Sequence, residues 1–114
     1  MKRLLMVFAA ASLCAQQTPR PAVRSHITIA SIDGSARQVI YSADRRFEAP
    51  NWSPDGSYLL LNSEGRLWKL PAGGGEPAMV DTGAVNKVNN DHGISPDGKW
   101  FVISAGHMYQ IGRA

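Results

Sequence analysis

The amino-acid sequence predicts an all-β fold of four-stranded antiparallel sheets that repeat along the chain. The first observation is a phrase that occurs twice, because Ser53-Pro54-Asp55-Gly56 returns as Ser95-Pro96-Asp97-Gly98 at an offset of 42 residues. The second is that residues 67–82 align with residues 27–42 at an offset of 40. Periods of about 40 residues with four short strands each are typical of β-propeller blades. The sequence therefore predicts an incomplete β-propeller in which about two blades are present.

Short strands account for the chain after its first residues. Gly and Pro cluster between apolar runs, and no window after the N-terminal segment shows sustained helical periodicity. The predicted strands lie near residues 27–32, 38–42, 48–52, 57–62, 66–71, 78–82, 91–94, 99–104 and 107–112.

Two apolar runs follow the repeated phrase and predict the core. Tyr58–Leu61 and Trp100–Ile103 show little alternation between apolar and polar residues, so we expect strands buried on both faces between stacked sheets. The same stacking predicts that Trp52, Trp68 and Trp100 fill the space between blades.

The repeated phrase has the chemistry of a tight turn. Pro has a φ suited to the second turn position, Ser can bond the local backbone, and Gly tolerates positive φ. We interpret Ser53, Pro54, Asp55 and Gly56, and likewise Ser95, Pro96, Asp97 and Gly98, as structural turns. The alternative, a pair of carboxylates for acid or metal chemistry, is less favoured because the two Asp occupy equivalent turns of neighbouring blades.

The N-terminal segment resembles a secretory leader. Residues 1–15 contain Lys2 and Arg3, then a short apolar run and small residues, which is the order of a signal peptide. We predict cleavage after Ala15, with lipidation at Cys14 or a first buried element as alternatives. Residues 16–26 are interpreted as a linker and residues 27–114 as the partial propeller.

Charge and cysteine content exclude several classes of function. Hydrophobic residues make up 44% and charged residues 18% of the chain, so disorder is not expected. Without Lys2 and Arg3 the twelve basic residues become ten, against nine acidic ones, so the processed chain carries +1. Such a chain gives no electrostatic case for nucleic-acid binding. After cleavage it has no cysteine for disulfides, and we expect no membrane span, catalytic residue or cofactor.

One polar cluster is a candidate binding site. Asn89–Gly93 leads into the innermost strand of the second blade, which borders the central channel of a propeller. We predict that Asn90, Asp91 and His92 bind a ligand at the channel mouth. A metal role is the weaker alternative, because a site needs three or four ligands. Simple loop hydrogen bonding is the other alternative.

The repeat resembles that of TolB-like (WD40-like, PD40-type) β-propellers of bacterial cell envelopes. The matching positions are Pro50, Trp52, Ser53–Gly56, Leu59–Leu61, Trp68, Gly74 and Gly75. The second copy has His92 and Ile94 where the first has Pro50 and Trp52.

This resemblance implies a periplasmic or secreted, non-enzymatic scaffold that binds an envelope protein or peptide. The same repeat also builds part of some serine peptidases. The alternative is therefore the propeller portion of a larger enzyme, either a prolyl-oligopeptidase-type peptidase or a metal-dependent sugar lyase.

The number of blades suggests a longer protein. A repeat array needs several neighbours to bury its faces, and a six-bladed ring requires roughly 250 residues. We expect this chain to be the N-terminal part of a longer protein or the product of an interrupted gene. Alone, it is expected to be marginally stable or to aggregate through residues 59–61 and 101–103.

Overall fold

The computed structural model of the chain describes residues 22–106 and 108–114. The predicted leader lies outside the described residues, together with Cys14, the predicted cleavage position after Ala15, and the linker up to residue 21. Residues 22–24 lead into the first strand without regular structure. The described part of the chain contains strands and turns, and it has no helix of the length and apolarity needed to cross a membrane.

Nine strands form three antiparallel sheets, called here the first, second and third sheet. The first sheet pairs β1 with β2, the second has the order β3-β4-β5-β6, and the third has the order β7-β8-β9. The strands are β1 (Ser25–Ala30), β2 (Arg37–Ala43), β3 (Glu48–Trp52), β4 (Tyr58–Ser63), β5 (Arg66–Pro71), β6 (Ala78–Met79), β7 (Val88–Ile94), β8 (Trp100–Ala105) and β9 (Met108–Arg113).

This topology confirms the predicted fold. The second sheet is one complete four-stranded blade, and the third repeats its first three strands in the same order. The first sheet corresponds to the last two strands of a blade. The described residues therefore hold one whole blade between two partial ones, in an incomplete β-propeller.

Two strand boundaries differ by three residues from those that the sequence predicts, and the others differ by two or fewer. The sixth strand is confined to Ala78 and Met79, although the Val80 N–H still donates to the Leu67 carbonyl at 2.9 Å. The chain then turns at Thr82, whose backbone carbonyl accepts the Val85 N–H at 3.2 Å. The seventh strand begins at Val88 and not at residue 91. The residues that directly follow Val88 in this strand are polar, so they form no apolar run that would predict a strand.

The second sheet is buried on the face toward the first sheet. Leu59 and Leu61 of β4 and Leu70 of β5 form a cluster with Ile27 of β1 and with Phe47. Leu61 and Leu70 have no exposed surface. Burial of apolar area of this kind is the main stabilising term in folding.

The opposite face of the second sheet is buried against the third sheet. Leu60 and Leu67 pack there with Val88, Phe101 and Ile103. Because successive residues of a strand point to opposite faces, Leu59 to Leu61 serve both clusters. The prediction that this strand is buried on both faces agrees with the structure.

The outer face of the third sheet lacks a cover among the described residues. Val102 is 46% exposed, whereas Leu60, its equivalent 42 residues earlier, is fully buried. Trp52 and Trp100 are 52% and 42% exposed, so the prediction that they fill the space between blades is wrong for the described structure. Trp68 does pack against the cluster between the first and second sheets. The guanidinium carbon of Arg45 lies over its ring, 4.1 Å from the ring centroid.

Truncation of these equivalent residues should have very different costs. Leu60→Ala leaves a cavity in a closed core and is expected to lower the free energy of unfolding by about 3 kcal/mol. Val102→Ala should lower it by less than about 1 kcal/mol, because that side chain is half exposed. Urea unfolding of both variants checks the difference. Equal losses would contradict the described packing.

Candidate functional site

The turn at Ser53–Gly56 is held by hydrogen bonds to the Asp55 carboxylate. Ser53 Oγ donates to Asp55 Oδ1 at 2.7 Å, and the Ser57 N–H donates to the same oxygen at 3.0 Å. The Gly56 N–H closes the turn on the Ser53 carbonyl at 2.9 Å. The Asp55 side chain is thus occupied by its own turn.

The same arrangement occurs at two other turns. In Ser95–Gly98, Ser95 Oγ donates to Asp97 and the Gly98 N–H donates to the Ser95 carbonyl at 2.8 Å. In the β1–β2 turn, Ser31 Oγ donates to Asp33 Oδ1 at 2.6 Å. This third copy has Ile32 in place of Pro, so it was not predicted from the repeated phrase, although the Ser-x-Asp-Gly spacing is present.

These hydrogen bonds stabilise the ionised carboxylates. The hydroxyl of Ser53 and then the hydroxyl and N–H of Ser57 lower the pKa of Asp55 to about 2. The Ser31 hydroxyl has the main effect at Asp33, whose pKa is also about 2, and the Ser95 hydroxyl lowers the pKa of Asp97. A carboxylate of this kind is a poor proton carrier near neutral pH. The structural role of these turns stays a prediction.

A polar cavity of about 430 Å³, called here the inner-strand cavity, lies where the second and third sheets meet. It is formed by the start of β3, the end of β4, the β4–β5 turn and β7. Its lining residues are Glu48, Asn62, Glu64, Gly65, Val88, Asn89, Asn90 and Asp91.

Hydrogen bonds between the two sheets hold this region together. Asn62 Nδ2 donates to Asn90 Oδ1 at 2.9 Å, and Asn51 Nδ2 donates to the His92 carbonyl at 3.2 Å. Asn62 is 5% exposed, and its Oδ1 accepts no hydrogen bond from the described residues. A buried acceptor left without a donor costs about 1–3 kcal/mol.

The predicted site residues are only partly brought together. Asn90 and Asp91 line the inner-strand cavity, but His92 does not. His92 Nδ1 lies 3.2 Å from the Asn89 carbonyl, and its buried Nε2 has no partner among the described residues. All three lie within β7 beside a bulge between Val88 and His92, whereas the sequence predicted that this strand begins only at Asp91 and leaves Asn90 before it.

The cavity lining is acidic. Glu48, Glu64 and Asp91 contribute carboxylates, and no Lys or Arg lines it. Arg46 approaches Glu48 from the side, with Nη1 3.7 Å from Oε1. The described residues contain no group of three or more His, Cys, Asp or Glu that could hold a metal ion. The arrangement suits hydrogen-bond donors and positively charged groups.

Three lining residues were missed from the sequence. Asn62 interrupts an apolar strand, which is a signal that could have been noticed. Glu48 and Glu64 carry no such signal, because their position at the cavity depends on how the second and third sheets stack.

The β4–β5 turn approaches the third sheet closely through Gly65. This residue has φ +75°, and a Cβ placed on it would lie 2.2 Å from the Asn86 carbonyl oxygen. The Gly65 carbonyl accepts the Val88 N–H at 3.0 Å. Because only glycine fits this approach, Gly65 determines how the turn and β7 border the cavity.

Comparison with known proteins places the chain beside longer relatives. No protein-family model matches it. It is 53% identical to the uncharacterized protein Atu1656 of Agrobacterium fabrum (strain C58) over 87 residues. Those residues make up 75% of this chain and 30% of the relative.

A solved structure described as "The structure of putative TolB from Agrobacterium tumefaciens" shares 46% identity and a TM-score of 0.74. The match covers 79% of this chain and 35% of that one. The chain therefore has a TolB-like fold and spans about a third of the length of these two relatives. Its assignment to the PD40-type repeats stays a prediction.

Substitution of Gly65 should be far more costly than substitution of Gly34. Both have similar positive φ, +75° and +73°, but a Cβ at Gly34 meets nothing within 4 Å. Gly34→Ala is expected to cost about 1 kcal/mol from backbone conformation alone. Gly65→Ala should cost about 3 kcal/mol or more, because the turn must also move away from Asn86. Denaturant unfolding of the pair measures the difference, and equal costs would contradict the close approach.

Acid sensitivity should depend on Asp55. Its pKa is about 2 in the folded protein against an ordinary 3.8, so its ionised form stabilises the fold above pH 3.8. That contribution is lost as the pH falls through about 2. Asp55→Asn has no carboxylate to protonate at this position, so this contribution to the acid-dependent loss of stability is absent. The unfolding midpoint of the variant should therefore depend less on pH between about pH 4 and 2.

Ser53→Ala provides the second variant for this test. It removes the largest cause of the low pKa, so the Asp55 pKa should rise toward its ordinary value. Circular dichroism during acid titration follows both variants. A pH dependence identical in the parent chain and in Asp55→Asn would overturn the role given to this carboxylate.

Proposed function

We propose that this chain belongs to an exported, non-enzymatic β-propeller scaffold of the cell envelope that binds another protein at the channel side of its inner strands. The observation that carries the proposal is the acidic inner-strand cavity, which two adjacent blades of a TolB-like fold build together. The resemblance to TolB-type propellers and the leader-like residues 1–15 support the envelope location.

The form of the cavity favours a protein partner over a small molecule. Pockets for small molecules are mostly apolar and enclosed. Here Val88 is the one aliphatic lining residue, and Glu64, Asn90 and Asp91 are exposed. Such a rim suits polar and charged side chains of a partner protein, which meet a scaffold whose backbone is already ordered.

The scaffold interpretation also agrees with the state of the titratable groups in the turns. Asp33, Asp55 and Asp97 are committed to hydrogen bonds within their own turns. They therefore offer no pair of carboxylates for catalysis, and the proposed activity is binding.

Site-specific crosslinking in cells tests this proposal. A photo-crosslinking amino acid is placed at Glu64, which lines the cavity, in the full chain expressed with its N-terminal segment in a Gram-negative host. The expected result is a crosslinked envelope protein identified by mass spectrometry, attached to a chain from which residues 1–15 have been removed.

Glu76 is the matched control position. It is an exposed Glu in the turn between β5 and β6 and does not line the cavity. No adduct with the same protein is expected there. Identical adducts at Glu64 and Glu76 would refute binding at the cavity, and a cytoplasmic chain that keeps residues 1–15 would refute export.

A further inference from the structure

Asn62 lines the inner-strand cavity with a buried amide that is only half satisfied. Its Nδ2 donates to Asn90 Oδ1 at 2.9 Å, and its Oδ1 accepts no hydrogen bond from the described residues. The side chain is 5% exposed, so the acceptor lies at the bottom of the cavity and not at its rim. A donor brought in by another molecule would gain the full benefit of the hydrogen bond, because the cost of burying this acceptor is already present without it.

The wall of the cavity offers acceptors more than donors. Asn89 Nδ2 is occupied by Ser104 Oγ at 3.1 Å, and the Asp91 N–H donates to Asn89 Oδ1 at 2.8 Å. Glu48, Glu64 and Asp91 bring carboxylates, which accept hydrogen bonds and donate none when they are ionised. The lining therefore suits a group that has several N–H donors and a positive charge.

These acceptors come from three different elements. Glu48 of β3 is the residue paired with Asn62 of β4, so the two side chains are neighbours on one face of the sheet. Glu64 belongs to the β4–β5 turn, and Asp91 follows Asn90 on β7. The acceptors thus surround the cavity from several sides and are not the two oxygens of one carboxylate.

This arrangement favours an ammonium group over the other common cations. The described residues contain no group of three or more His, Cys, Asp or Glu that could hold a metal ion. A guanidinium is a planar fork that matches the two oxygens of a single carboxylate. An ammonium is compact, has three donors that point in different directions, and in lysine stands at the end of a narrow stem that can reach a buried acceptor.

We propose that the inner-strand cavity binds the ammonium group of a lysine side chain of the partner protein. One N–H is donated to Asn62 Oδ1, and the charge lies among Glu48, Glu64 and Asp91, where it relieves their mutual repulsion. This inference rests on the proposed function, which supplies a protein partner, and it adds the side chain by which that partner is recognised.

The backbone of Glu64 provides a variant suited to the test. Glu64 and Gly65 form a two-residue turn with φ +52° and +75°, in which Asn is favoured at the first position and Glu is not. Glu64→Asn therefore removes a carboxylate from the cavity without a cost in backbone conformation. A weaker cation site in a chain of equal or greater stability is expected.

Titration of the full chain with n-butylammonium, which has the stem and head group of lysine, tests the site without a partner. Saturable NMR shifts of the Asn62 side-chain amide and of the Glu64 backbone amide are expected in the isotope-labelled chain. The matched control is n-butyltrimethylammonium, which has the same charge and no N–H. It should bind at least about tenfold more weakly, because it cannot donate to Asn62 Oδ1. Butylguanidinium should also bind more weakly than n-butylammonium.

Two variants locate the bound cation. Asn62→Leu removes the acceptor and should weaken n-butylammonium binding at least about tenfold without loss of stability, because an unpaired buried group is removed with it. Glu64→Asn should weaken binding about threefold and decides the test if Asn62→Leu does not fold. Glu76→Asn is the matched control, since Glu76 is exposed and does not line the cavity, and its affinity should be unchanged.

Several results would overturn the lysine site. They are equal affinity for the two ammonium ions, tighter binding of butylguanidinium, absence of binding, or unchanged binding in either cavity variant. Crosslinking at Glu64 separates these results from the proposed function. A crosslinked envelope protein together with no ammonium binding refutes the lysine site alone. Ammonium binding without a crosslinked protein refutes the protein partner, and with it the lysine as the source of the ammonium group.

Discussion

The structure depends on one constraint, which is that β4 must be covered on both of its faces. Leu60 and Leu61 are neighbours in sequence, point to opposite faces of the sheet, and are both fully buried. No single sheet can bury both residues, so the second sheet is stable only between two others. The first and third sheets are stacked on it for this reason, and their own outer faces remain partly exposed.

The same stacking creates the sites. It brings β3 beside β7, so that Asn51 and Asn62 can bond across to residues of the next blade. The close approach of Gly65 to Asn86 then places the β4–β5 turn, with its Glu64, at the rim of the inner-strand cavity. A second cavity of about 720 Å³, between β1 and the second sheet, has the same origin, since the second sheet there faces a blade that has only its outer strands among the described residues.

The geometry of the turns is determined by local interactions, whereas the burial of the tryptophans is determined by tertiary packing. Each Ser-x-Asp-Gly turn is closed by hydrogen bonds within about five residues, so its geometry is the same in three different places. The tryptophans have no such local partners. Trp68 is packed and Trp52 is exposed because one has a neighbouring sheet over it and the other does not.

The sequence by itself determined the all-β class, the repeat period, nine strands and two of the three Asp turns, because turn chemistry and runs of apolar residues are local properties. It also indicated Asn90 and Asp91 as candidate site residues where the chain enters an inner strand. Only the tertiary structure decided that Asn62, Glu48 and Glu64 join them, that His92 does not line the inner-strand cavity, and that one edge of β1 is open. These outcomes depend on which sheet lies against which, and residues that meet across two sheets leave no periodic signal in the chain.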